Sequence, residues 1–400
     1  MTPEDKVSEN RRLLIKFFAM SPLLAFSDFS HGRFLSDEQD PLITKASQAL
    51  NVFDFKRVAK EKLSTAHYGY LETGVLDNWT LLENEKAFQR IKLNMRRLIG
   101  AIDVDISTSL FGESWSSPIM LCPCGSQKAF HSEGEIATAR AAKSQNTMQV
   151  LSTMSTSSIE DVVTAKGSPV WFQLYPSLVW EDTAKMVMRA KASGSKALVL
   201  TVDSDYTDKR EAYSKAASLD KTNCQTCHGK RTMTNFLKTK PMIKDLDNQF
   251  QLDKNLTWDY IKRLQDLVDM KIILKGIVSK EDAQIALEHG VDGIIVSNHG
   301  GRVSESGIAA IDSLSEVAKV VNGSIPVMMD GGVRRGKDVF KAIAKGASMV
   351  GIGRPYLWGL SAFGQEGVEM VLKLLTAELK LAMQQTGVKT ISEINGSQLL

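Results

Sequence analysis

The sequence is short of everything that would mark a specialised class of protein. Lysine and arginine number 49 against 46 acidic residues, a net charge of +3, which is too balanced for the basic field that nucleic-acid binding requires. Four cysteines in 400 residues cannot staple a disulfide scaffold. With only 10 prolines and 28 glycines, collagen and low-complexity disorder are excluded. Beyond a short N-terminal run, no stretch is apolar enough to suggest a membrane span, and none is long enough. No internal repeat is apparent. What is present, 43% hydrophobic and 24% charged residues, suits a large globular core and a small-molecule ligand.

From Pro118 onward, short β-branched or apolar runs alternate with helical patterns, the signature of βα units around a parallel sheet. The strands expected are Ile119–Cys122, Gln149–Ser152, Val170–Leu174, Ala197–Val202, Ile272–Lys275, Gly293–Ser297, Pro326–Met329 and Met349–Gly351. Helices are expected at Glu133–Gln145, Thr183–Ala192, Trp258–Met270, Lys280–Glu288 and Val339–Ala344, among others. This is a (β/α)8 TIM barrel, an α/β fold that commonly uses about 200–250 residues as one domain. Its active site belongs at the C-terminal ends of the strands. A helix closed by Gly74 is expected over residues 50–75, and a terminal one over 365–385. Between Asp203 and Trp258 lie about 55 residues, where a βα loop needs about two to six, so 205–255 is read as a lid or insert.

Two glycine-rich turns follow the seventh and eighth strands: Asp330-Gly331-Gly332-Val333-Arg334 and Gly351-Ile352-Gly353-Arg354-Pro355. Their amides suit a phosphate, with Arg334 and Arg354 adding charge-assisted bonds. Tight-turn geometry alone is the plainer reading. His299 ends the sixth strand three residues before Arg302, and Asp203 is placed to orient it. That set suits a general base beside a carboxylate clamp. Lys275 reads equally as a Schiff-base lysine or as a cation beside a cofactor.

The runs Ser297-Asn298-His299-Gly300-Gly301-Arg302, Asp330 to Gly336 and Gly353-Arg354-Pro355 closely resemble the FMN-dependent α-hydroxy-acid oxidising family. That family includes glycolate oxidase, lactate oxidase, mandelate dehydrogenase and flavocytochrome lactate dehydrogenase. The resemblance continues through Tyr68 to Gly74, His131 to Glu135, Trp171 to Tyr175, Thr201 to Asp203 and Leu274 to Gly276. It implies FMN on the backbone of Pro123, Cys124 and Gly125, with Ser152, Gln173, Thr201, Lys275 and Ser297 around the ring and ribityl chain. Asp330, Gly332, Arg334, Gly353 and Arg354 would hold the ribityl and phosphate. His299 matches the base, Asp203 its partner, Arg302 and Arg210 the carboxylate-binding arginines, and Tyr70 and Tyr175 the tyrosines beside the substrate. Lys275 then lies near flavin N1, against the Schiff-base reading. The resemblance also implies a homo-oligomer, a tetramer.

Departures bear on substrate. Met154 stands where glycolate oxidase has tryptophan, so a pocket for a small or medium aliphatic or aromatic L-2-hydroxy acid is expected. Asp208-Lys209-Arg210 replaces a Gly-Arg-Arg pattern. Inside the insert, Cys224-Gln225-Thr226-Cys227-His228 has the spacing of a c-type haem attachment site. A disulfide or a metal site competes with that reading. Haem would make the enzyme a dehydrogenase passing electrons to a cytochrome, with His228 on iron and Met233 or Met242 opposite; the alternative is an oxidase that reduces oxygen. Cys122 and Cys124 are expected to be buried packing thiols.

At the N-terminus, Arg11-Arg12-Leu13-Leu14-Ile15-Lys16 precedes the apolar run Phe17 to Phe26, and Ala25-Phe26-Ser27 resembles a cleavage site. Residues 1–27 therefore read as a twin-arginine export signal, or as an amphipathic helix, ahead of a domain at 28–400. Export would place the enzyme in the periplasm; without it the cytoplasm is expected. An isomerase or aldolase barrel, and a barrel serving only as an electron-transfer scaffold, are the remaining readings.

Overall fold

The structure, a computed structural model, describes residues 41–100, 103–222, 224 and 233–400. The expected export signal lies outside the described residues. The chain divides after Leu42, and the unit Ile43–Leu400 carries the barrel.

Ten strands are formed among the described residues: β1 (Thr108–Leu110), β2 (Glu113–Trp115), β3 (Ile119–Leu121), β4 (Met148–Ser152), β5 (Trp171–Leu174), β6 (Ala197–Thr201), β7 (Lys271–Ile277), β8 (Gly293–Val296), β9 (Val327–Asp330) and β10 (Met349–Ile352). β3 to β10 close a parallel barrel in sequence order, with β10 completing the ring by pairing Val350 with Ile119. All eight expected strands are present, each within two residues at either end. Apolar runs bounded by turn residues fix them because both strand faces are buried.

Side-chain alternation divides the interior into layers. Met120, Val150, Trp171, Val199, Ile273, Ile295, Met328 and Met349 form an apolar cluster distinct from the outer core between strands and helices. Two residues further along the same strands, on the same face, stand Cys122, Ser152, Gln173, Thr201, Lys275, Ser297, Asp330 and Gly351. The barrel is thus oily below and polar at its catalytic end. The hairpin β1–β2 packs on the apolar layer: Phe111 and Trp115 place their rings 5.7 and 6.2 Å from Trp171, whose indole nitrogen donates to Glu113 at 2.8 Å.

Two helices differ from expectation. Residues 50–75 form Val52–Lys62 and Thr65–Glu72, because Leu63 is extended and Ser64 caps a new helix by accepting from the His67 amide. The terminal helix starts at Arg354 and runs to Thr386, broken at Phe363 and Gly364. At that bend Gly359 and Gly367 touch: a Cβ on Gly367 would lie 1.9 Å from the Gly359 carbonyl oxygen. The insert is partly regular, with helices Glu211–Leu219 and Met233–Lys238 and with Leu237, Met242, Ile243 and Phe250 buried.

The loops after β3 and β4 are joined by Glu135, a fully buried carboxylate in the first turn of helix Glu135–Ser144. It accepts from the amides of Gln127 and Thr156 at 3.1 and 2.8 Å and from the hydroxyls of Thr156 and Ser157 at 2.7 and 3.1 Å. Replacing it strands buried donors, each costing about 1–3 kcal/mol. Glu135→Ala is expected to lower unfolding free energy by at least about 3 kcal/mol in urea titration; an unchanged midpoint would show that these loops do not depend on it.

Candidate active site

A cavity of about 400 Å3 opens above the polar layer. In its floor Ser152 donates to Gln173 at 2.9 Å, and Gln173 donates to Thr201 at 3.0 Å. Ser297 donates to Asp330 at 2.6 Å, and Lys275 donates to Ser297 at 2.9 Å while lying 3.4 Å from Asp330. Burial disfavours the Lys275 ammonium, but the carboxylates of Asp330 and Asp203 outweigh it and raise its pKa. The site therefore holds a fixed, buried cation. This placement suits charge stabilisation and agrees with the resemblance rather than with a Schiff base, which needs a neutral amine.

His299 follows β8 in left-handed backbone (φ 57°), and Gly300 and Gly301 continue it at 66° and 72°. A Cβ on Gly301 would lie 2.5 Å from the Leu81 amide nitrogen, so the turn needs glycine there. The turn aims the imidazole at Asp203: Nδ1 to Oδ1 is 2.9 Å, and Nε2 lies 3.3 Å from the Tyr175 hydroxyl. Burial raises the Asp203 pKa, but His299, Lys275 and Ser204 more than offset it and the carboxyl is held below its usual range. An ionised Asp203 fixes the proton on Nδ1 and leaves Nε2 as an acceptor. Burial, then the Asp203 charge, raise the Tyr175 phenol, which stays protonated as a donor.

Arginines crowd the same cavity. Arg302 lies 4.2 Å from the centroid of the Tyr70 ring, and both residues line the cavity. Arg210, expected at the substrate carboxylate, packs between the rings of Tyr70 and Tyr213 at 4.7 and 4.8 Å and donates to the Tyr70 carbonyl at 2.9 Å. It braces Tyr70. Burial and the neighbouring Arg302 pull Arg210 down to about 10, and burial with Arg302 and Arg334 pulls Arg354 down to about 9. Still cationic at neutral pH, these groups create a positive field that an anion relieves.

The phosphate-type end lies where β9 and β10 finish. Gly332 (φ 80°) is pressed so closely on α-helical Asn84 that a Cβ would meet its carbonyl oxygen at 2.0 Å. Gly353 caps the helix beginning at Arg354, and this helix start lines the same cavity as Gly331 to Arg334, the setting in which backbone amides bind an anion. Arg334 donates to Glu85 and to the Val333 carbonyl, and its buried Nε has no partner among the described residues. Arg354 lines the cavity and its fork also donates to the carbonyls of Leu71, Gly300 and Thr73 at 2.8, 3.0 and 3.2 Å. It clamps the Tyr70 helix to the His299 turn.

Pro123, Cys124, Gly125, Ser152, Met154, Tyr175, Lys275, Asp330 and Gly353 all line the cavity; Gln173, Thr201 and Ser297 lie in the layer of hydrogen bonds under it. Cys122 and Cys124 are free thiols, and burial followed by Asp330 pushes Cys122 well above its ordinary value, so it stays neutral. His67, Phe130, Tyr213 and Phe236 also line the cavity, without a motif to announce them. His67 is three residues before Tyr70 on one helix and Tyr213 three after Arg210, spacings that helix geometry brings to one face. The haem expectation finds no support among the described residues, and the competing disulfide reading does. Cys224 is disulfide-bonded, and a sulfur in a disulfide cannot also be a thioether to haem. Met242 is buried in the core, while Cys227, His228 and the Met233 side chain lie outside the described residues.

Residues 59–400 match the family described as FMN-dependent dehydrogenase. A 2-hydroxyacid oxidase of Dictyostelium discoideum is 42% identical over 355 residues, covering 87% of this chain and 89% of that one. An L-lactate oxidase of Nostoc sp. is 41% identical over 368 residues, covering 89% and 100%. A solved mandelate oxidase variant with (S)-mandelic acid superposes with a TM-score of 0.78 at 31% identity, covering 88% of this chain and 98% of that one. A family match over residues 59–400 together with relatives 41–42% identical over nearly nine-tenths of the sequence shows that the chain belongs to the FMN-dependent dehydrogenase family.

Proposed function

We propose that this protein oxidises an L-2-hydroxy acid with an apolar side chain to the 2-oxo acid, using FMN, with dioxygen as acceptor and hydrogen peroxide as co-product. One observation carries the reading: the His299–Asp203 pair and Arg302 share a cavity with a phosphate-type helix terminus and a buried lysine. The reaction removes two electrons and two protons from the substrate, and dioxygen takes them up as peroxide. The oxidases among the relatives support oxygen rather than a cytochrome as acceptor.

The residues fit FMN at both ends. Gly332, Gly353 and the helix start at Arg354 suit its phosphate, with Arg334, and Lys275 suits the ring that gains negative charge. FMN, when bound, supplies the two-electron carrier. The protein's part is positioning and proton transfer. Arg302 binds the substrate carboxylate, with Tyr70 and the protonated Tyr175 beside it. His299 Nε2 accepts a substrate proton while Asp203 stabilises the imidazolium that forms. Met154, Phe130 and Phe236 leave an apolar region for the side chain. The Cys224 disulfide and the paired Arg11 and Arg12 support an oxidising compartment outside the cytoplasm.

The test is anaerobic stopped-flow reduction of the bound flavin. His299→Gln is expected to retain FMN and to slow reduction by lactate about a thousandfold; bleaching at the normal rate would remove His299 from this role. Arg302→Lys should raise the apparent dissociation constant for lactate at least about tenfold, about 1.4 kcal/mol, because a point charge replaces a bidentate fork. Near-normal affinity would place the carboxylate elsewhere.

A further inference from the structure

Phe236 is the one cavity-lining residue described from the helix Met233–Lys238 of the insert. Two residues beyond that helix stands Lys240, which has no exposed surface although it sits in a connecting segment. Its ammonium lies 4.5 Å from the Phe236 ring centroid and donates to the hydroxyl of Ser126. Ser126 is in left-handed backbone (φ 58°) directly after Pro123-Cys124-Gly125, and its amide donates to the Met154 carbonyl at 2.9 Å. One lysine therefore links the ring of Phe236 to the loop that fixes Met154.

We propose that Phe236 is a specificity-determining residue for the side chain of the hydroxy acid, and that Lys240 is its positioning residue, tethering the insert to Ser126. The inference rests on the function proposed above and names what sets the size of that pocket.

A buried ammonium is a poor choice for stability. The Ser126 hydroxyl, the Phe236 ring face and attraction to Glu135 are among the contacts that oppose its desolvation, and an apolar side chain of similar volume would avoid the cost altogether. Burial pulls Lys240 down to about 8, with Glu135 opposing. Directionality explains the choice. An ammonium bonded to Ser126 holds Phe236 in one place, which a sliding apolar contact does not. Leu237, Met242 and Ile243 supply the greasy anchorage, and the Pro241 carbonyl accepts from Arg189 at 2.6 Å.

The test compares lactate with 2-hydroxyhexanoate in anaerobic flavin reduction by Phe236→Ala, Lys240→Met and Lys240→Arg holoenzymes, with hydrogen exchange over residues 233–250. Phe236→Ala is expected to weaken 2-hydroxyhexanoate binding at least about tenfold and to change lactate less than about twofold. Lys240→Met should shift selectivity in the same direction, speed exchange over 233–250, and leave the unfolding temperature equal or higher; Lys240→Arg should restore selectivity. An unchanged selectivity ratio in folded Phe236→Ala, or in its substitute Phe236→Leu should the alanine variant not fold, overturns the role of Phe236. Unchanged selectivity and exchange in Lys240→Met overturn the tether. Wild-type enzyme reduced by no hydroxy acid would instead contradict the proposed function itself.

Discussion

The site depends on a buried ammonium. Lys275 points into the barrel two residues above Ile273, from an apolar layer into a polar one, and it is tolerated there because Asp330, Ser297 and Asp203 compensate it. A lone lysine at that depth would lose its proton. Once it is compensated, its partners are fixed as well: Ser297 also accepts from the His299 amide at 3.0 Å, and Asp203 orients the His299 ring. The cation thus organises the base as well as the floor of the cavity. Strand alternation sets the height of all of these groups, so the chemistry follows from the barrel's register.

Around this centre, positive charge accumulates on purpose. Arg302, Arg354 and Arg334 repel one another in a poorly solvated space, and each is held by structure that has other uses. Arg354 gives its donors to three carbonyls, Arg334 is tied to Glu85, and Arg302 rests on Tyr70. Fixing cations before any anion arrives is electrostatic preorganisation. The insert contributes to it: Arg210 and Tyr213 brace Tyr70, and Asp220 caps the helix carrying Tyr70 by accepting from Ser64 and the Ala66 amide at 2.6 and 2.7 Å.

The strands were legible because burial on both faces leaves apolar runs, and the glycine turns because a Cβ at Gly332 or Gly301 collides with backbone. His299, Arg302 and Lys275 were legible from their places at strand ends. Contacts across long sequence separations were not. Nothing around Arg354 says that its fork closes on Leu71 and Thr73, and nothing around Phe236 says that it faces the same space as Met154. The CxxCH spacing pointed to haem, yet spacing cannot tell a thioether from a disulfide, and Cys224 is in the latter state. The break at Ser64 was hidden because helical periodicity persists across it, while the cap is a single hydroxyl.

Whether dioxygen is the electron acceptor is decided by a stoichiometry. Purified, FMN-loaded enzyme is given a limiting amount of an L-2-hydroxy acid in air-saturated buffer, and 2-oxo acid, oxygen uptake and peroxide are measured together. Equal amounts of all three are expected, with the flavin bleaching anaerobically and recovering its colour when air is admitted. Formation of 2-oxo acid that requires an added one-electron acceptor, with no oxygen uptake, would contradict it.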